Sequence, residues 1–226
     1  MICYKLCIFI SLVVVGYSNP MGPRDGPRTN KEDETMAEVT GPLNEEKFCD
    51  FPDVAEYRVY NTKWNKLDLT YRIVNYTSKW SNANVDSGIA KAVQWWSDVT
   101  PLKFTRIFSG TADIMIGFVK GDHGDGNRFK ENTLTLAHAS KPNHIPYSFL
   151  HFNEERVSDF SEDWETFVTV AAHEFGHNLG LAHSHDNNAV MFDAIGESKA
   201  CLNSDDIRGI QSLYGANPDK TLLPKC

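Results

Sequence analysis

His173-Glu174-Phe175-Gly176-His177 sets two imidazoles four residues apart, with a carboxylate beside the first. Residues four apart lie on one face of an α-helix, so both rings can reach a single small cation at the roughly 2.0–2.1 Å that zinc–nitrogen bonds require. Glu174 need not bind that ion. A carboxylate next to it can take the proton of a water whose pKa the metal has lowered to about 7. Gly180 can then turn the chain sharply out of the helix, and His183, six residues after His177, arrives as a third ligand. Three protein ligands leave a fourth position open, which separates a catalytic zinc from a structural one.

This constellation needs a helix to carry it and a sheet to hold the helix. Leu67 to Val74 alternates apolar and polar positions as a strand does, and Ile89, Ala92, Val93, Trp96 and Val99 recur at helical spacing before Pro101. Further strands are expected over 102–107, 112–119, 134–139 and 148–153. The helix carrying the histidines is expected around Phe167 to Leu179. A third helix is expected from a cap at Ser204, with Asp205 and Asp206 in its first turn and Gly215 just past its end. The order reads as α+β, a five-stranded mixed sheet with three helices packed on it.

A chain of 226 residues is long enough for one globular unit plus a short extension. With 41% apolar and 12% aromatic residues it is neither disordered throughout nor a multi-pass membrane protein, and its net charge of −8 argues against nucleic acid as partner. Residues 1–18 carry Lys5 and a short apolar run from Leu6 to Val15, too short to span a bilayer, so a secretory signal peptide is expected ahead of a membrane anchor. Residues 19–56 hold ten acidic against four basic residues, and the stretch to Glu46 shows no apolar periodicity, so most of the net charge belongs to a detachable front end. Its removal and that of the signal peptide would leave a domain over 57–215 and a tail over 216–226. Cys3 and Cys7 would leave with the signal peptide. Cys49, Cys201 and Cys226 remain, and in an oxidising compartment an odd count implies one pair and one free thiol.

The set His173, Glu174, His177, Gly180 and His183, with Met191 eight residues further on, fits the metzincin pattern with its methionine turn. Residues 57–215 resemble the catalytic domain of a matrixin, a matrix metalloproteinase. Ser184 after the third histidine fits matrixins better than other metzincins. Leu67-Asp-Leu-Thr-Tyr-Arg-Ile, Ala112-Asp-Ile-Met-Ile, Gly121-Asp-His-Gly-Asp, Leu136-Ala-His-Ala and Asp205-Asp-Ile-Arg-Gly-Ile-Gln also resemble family signatures. The resemblance is to a minimal, matrilysin-like form, so a propeller domain of the kind most members carry is not expected.

The resemblance implies a secreted, extracellular zinc endopeptidase with two zinc ions. Glu174 is its general base and His173, His177 and His183 hold the catalytic ion. His123, Asp125, His138 and His151 match the ligands of the structural zinc, a closed tetrahedral site. The strand through Leu136 and Ala137 would be the edge to which an extended substrate adds, and Thr169, four residues before His173, would be the small floor of the primary pocket. Lys47 to Val54 is similar to the cysteine-switch segment, with Cys49 as the latent-form zinc ligand, although Phe48 and Asp50 replace the family's Arg and Gly. Cys201 and Cys226 are then the expected disulfide, the alternative being that Cys226 pairs with another chain. Extended protein substrates and tissue-inhibitor-type proteins are the implied partners of a monomer.

Two departures stand out. Lys130, Glu131, Asn153 and Arg156 occupy positions of the family's first calcium site, and 143–149 has lost the glycines and Asp of the second, so calcium is not expected. After Met191 the family's Tyr-Pro-x-Tyr becomes Phe192-Asp-Ala-Ile195. A competing reading, a secreted zinc-binding module without catalysis, is disfavoured by the intact Glu174.

Overall fold

A computed structural model of the chain describes the backbone of 36–40 and residues 56–159, 163–194 and 198–219. Residues 1–35, which include the expected signal peptide, lie outside this set, as do Cys49 and Cys226.

The chain runs β1 (Met36–Thr40), β2 (Arg58–Val59), β3 (Asp68–Ile73), α1 (Asn82–Val99), β4 (Lys103–Arg106), β5 (Ile114–Val119), β6 (Thr135–Ser140), β7 (Ser148–Asn153), α2 (Trp164–Leu179), β8 (Leu181–Ala182) and α3 (Ser204–Tyr214). The five expected strands fall at β3 to β7. Strands β4, β3, β5 and β7 are parallel and β6 is antiparallel to β7, which makes the sheet mixed. Its order is β1-β6-β7-β5-β3-β4. The sixth strand, β1, comes from the front segment that has no apolar periodicity. It adds antiparallel to β6, with Met36 opposite Ser140 and Val39 opposite Ala137. Such a strand owes its existence to ladder hydrogen bonds with a partner remote in sequence, which local pattern cannot reveal. The edge expected to receive substrate is therefore paired here with the chain's own residues.

Helix α1 starts at an N-cap, Ser81, whose side chain accepts from the Asn84 amide. Its buried stripe includes Val85, Ile89, Val93 and Trp96. Helix α2 starts three residues before the expected Phe167 because Asp163 caps it, accepting from the Glu165 N–H. From Phe167 to Leu179 every residue is buried, as befits a helix wedged between a sheet and a second helix. Trp96 Nε1 donates to the Ala172 carbonyl at 2.9 Å, tying α1 to α2. Asn178 Nδ2 donates to the carbonyls of Ser140 and Phe149, tying α2 to β6 and β7. Trp96, Phe152, Phe167 and Phe175 are the largest fully buried side chains among the described residues.

The third helix is capped by Asn203 where Ser204 was expected, with Asp206 closing a capping box. A two-stranded ribbon, β2 with β8, was not foreseen. It returns the start of the domain to the segment just after α2.

Candidate metal centres and active site

His173 and His177 lie on consecutive turns of α2 with their Nε2 atoms 2.9 Å apart. The helix must stop at once to let a third ligand approach. Gly180 caps it at φ +108°, where a Cβ would lie 2.7 Å from the Thr62 carbonyl oxygen, so only glycine turns the chain there without strain. Beyond it His183 joins the pair, and one donor atom from each of the three histidines lies within 4.8 Å of the others.

The rings are oriented from behind. His173 Nδ1 donates to the Val190 carbonyl at 2.7 Å and His177 Nδ1 to the Leu181 carbonyl at 2.9 Å. Each such bond fixes the tautomer and leaves Nε2 as a lone-pair donor. Burial pushes the His173 imidazole down to about 3, with the nearby His183 adding to the effect, and holds His177 well below its ordinary range. Neutral imidazoles with fixed, converging lone pairs are what a zinc ion needs, so the donor set fits the metal. Glu174 is fully buried on the same helix.

Beneath the cluster Met191 is 2% exposed. A Cβ at Gly176 would collide with its sulfur and crowd Trp96, so the glycine inside the His-Glu-Phe-Gly-His run makes room for the methionine. Asp206 accepts from the N–H groups of Val190 (2.8 Å), Met191 (3.0 Å) and Asn203 (3.0 Å). Desolvation outweighs those donors and pushes its carboxyl up to about 6. Asp205 accepts from Ser184 Oγ at 2.7 Å and from the Glu56 N–H at 3.0 Å. The first turn of α3 thus clamps both the methionine turn and the loop of the third histidine. The sequence marks these aspartates as helix-start residues and, by family resemblance, as partners for a chain start freed ahead of Tyr57, but carries no local signal of their hold on Ser184 and the methionine turn.

The second cluster is assembled differently. His138 and His151 are directly opposite each other on β6 and β7. The loop before β6 brings His123 and Asp125 to them. Asp125 Oδ2 lies 2.7 Å from His123 Nε2, 3.0 Å from His138 Nε2 and 2.9 Å from His151 Nδ1. His123 Nδ1 is committed to the Gly121 carbonyl. Phe129 stacks on His138 at 4.4 Å and Phe149 on His151 at 4.6 Å, which fixes the planes of the two rings. Hydrogen bonds from His138 and His151 and from the Asn127 amide hold the Asp125 carboxyl far below the usual carboxylate range despite its desolvation. Burial, with His138 beside it, lowers His151 to about 4. One carboxylate and three imidazoles around one point match a closed tetrahedral zinc set.

The remaining expected positions are placed as follows. Leu136 and Ala137 are buried in β6. Thr169 Oγ1 donates to the Glu165 carbonyl and accepts from the Lys199 N–H at 2.9 Å, so it is tied to the loop after Met191. Cys201 is disulfide-bonded. Lys130 and Arg156 line one polar cavity of about 180 Å³ with Asn132, Thr133, Asn153 and Glu155. No helix among the described residues is long and apolar enough to cross a membrane.

Comparison with known proteins agrees with this geometry. A family model described as Matrixin (Peptidase M10) matches residues 63–215. The chain is 43% identical over 202 residues to matrix metalloproteinase-20 of Homo sapiens, covering 87% of this chain and 41% of that protein. It is 46% identical over 178 residues to interstitial collagenase of Bos taurus, covering 76% and 38%. It is 41% identical over 184 residues to stromelysin-2 of Rattus norvegicus, covering 78% and 39%. The chain spans about two fifths of the length of these relatives.

Proposed function

This chain belongs to the matrixin family, and from that premise we propose that it is a secreted zinc endopeptidase that hydrolyses peptide bonds of extracellular, matrix-type proteins. The observation that carries the proposal is the convergence of His173, His177 and His183 beside the fully buried Glu174. His173, His177 and His183 would hold a zinc ion, which when bound would supply Lewis acidity and lower the pKa of water at the site to about 7. Glu174 takes the proton of the attacking water and returns it to the leaving amine nitrogen, so one carboxylate serves as base and then acid. The chain of β6 through Leu136 and Ala137 holds the peptide extended by ladder hydrogen bonds. Thr169 and the loop it grips shape the primary pocket, and Met191 supports the ligands from below.

His123, Asp125, His138 and His151 would hold a second zinc, which would pin the loop before β6 and add stability rather than chemistry. Lys130 and Arg156 supply part of the positive charge that a calcium ion would bring to those positions. Residues 1–18 act as signal peptide and 19–56 as a prosegment whose Cys49 caps the open zinc position. Cys201 pairs with Cys226, and family-type protein inhibitors bind the same groove of a monomer.

The test is cleavage of a random peptide library by the wild type and by Glu174→Ala, each with and without a zinc chelator. Chelator-sensitive turnover confined to the wild type supports the reading. Equal turnover by the variant would overturn it.

A further inference from the structure

Resting on that reading, we infer that Lys141 selects substrates carrying an acidic side chain near the amino-terminal end of the bound stretch. Lys141 directly follows β6, the strand on which an extended peptide would lie. Its Nζ sits 4.5 Å from the centre of the Tyr60 ring, a cation–π contact. Tyr60 is itself anchored beside the catalytic cluster. Its N–H donates to the Gly180 carbonyl at 2.7 Å, and its hydroxyl lies 3.4 Å from His177 Nδ1. The ammonium is therefore held just past the end of β6, on a ring that reaches the Nδ1 side of a histidine of the catalytic cluster.

The register of β1 on β6 turns this placement into a position along the substrate. Val39 lies opposite Ala137 and Met36 opposite Ser140, so each step back along the added strand is one step forward along β6. A peptide bound in the same register places the residue four before the one opposite Ala137 next to Lys141. Directly opposed residues of an antiparallel pair have Cβ atoms roughly 4.5–5.5 Å apart, within reach of a carboxylate and an ammonium.

The full chain, activated by limited proteolysis ahead of Tyr57 so that the β6 edge is open, is assayed with peptides identical except for one Glu, scanned from two to six positions before the residue opposite Ala137, against the same peptide with Ala. The expected ratio of kcat/KM, Glu over Ala, is about two- to fivefold, the scale of a partly exposed ion pair, and it peaks at the fourth or fifth position. It should shrink as ionic strength rises, persist in Lys141→Arg, vanish in Lys141→Ala and invert in Lys141→Glu. A second arm measures binding of the same peptides to zinc-loaded Glu174→Ala, which needs no turnover. If cleavage is absent while the binding preference follows the charge at residue 141, the peptidase reading fails and this one stands. No preference in the wild type, or one that survives Lys141→Ala in both arms, would overturn the inference.

Discussion

His173 and His177 project from one helix buried between sheet and α1, whereas His123 and Asp125 come from a loop and meet His138 and His151 across two paired strands. The helical pair is positioned by an apolar core that exists whether or not metal is present. Trp96, Phe167 and Phe175 fix α2, and the first turn of α3 fixes the loop bearing His183. The second cluster has no comparable frame on its loop side. Gly121 to Asn132 is held by one buried aromatic, Phe129, stacked on His123 and His138, and by short-range bonds such as that from the Phe129 N–H to the Gly121 carbonyl, so an ion shared by the four ligands would add folding energy there. A site that must leave a position open gains from rigidity independent of its metal, and a closed site can let the metal do the holding.

The sharpest way to separate the two regions is Glu174→Gln. We expect kcat/KM to fall by about 10²- to 10⁴-fold while zinc content stays at its wild-type value, as read by peptide kinetics beside metal analysis. Loss of metal with the activity would mean that Glu174 serves the site as a structural residue. Next in size, His138→Ala should remove one zinc per chain and cost about 3 kcal/mol or more, a drop in Tm of about 6–12 °C, while His183→Ala should abolish activity with a drop less than half as large. Equal losses of Tm would erase the distinction drawn here.

Acidification of the zinc-stripped chain is a third probe. An imidazole whose folded pKa is depressed gives the folded state its full stability above about 6.5, and that stability is lost as pH falls towards the folded value. With His173 at about 3, the cost of this residue alone reaches about 2 kcal/mol at pH 5, and His177 acts in the same direction. Urea unfolding at pH 7, 6 and 5 should show this decline, and His173→Gln should flatten it. The smallest effect concerns the floor of the helical site. Gly176→Ala should destabilise by about 1–3 kcal/mol through overpacking on Met191, with Met191→Ala relieving part of it in a double-mutant cycle.

The helical cluster was legible in the sequence because its ligands are local. His173, His177, Gly180 and His183 fall within eleven residues whose spacing states a geometry. The four ligands of the other cluster are spread over 123–151 and became readable only through family likeness, since nothing in a lone histidine announces a partner across a ladder. Strands β3 to β7 were visible through alternation and apolar runs. Strand β1 was not, because pairing with β6 creates it. The reach of Asp205 and Asp206 to Ser184 and the methionine turn was hidden for a similar reason: an acidic pair in the first turn of α3 already has a local role. Only the fold shows that their oxygens also hold Ser184 and the backbone at Met191.

The division of labour between the two clusters is tested most directly by removing zinc stepwise with a graded chelator while recording zinc per chain, peptide cleavage and Tm on the same samples. We expect cleavage to vanish as the first zinc leaves, with Tm nearly unchanged, and Tm to collapse as the second leaves. Cleavage that persists at one zinc per chain after Tm has already fallen would contradict the assignment of the two sites.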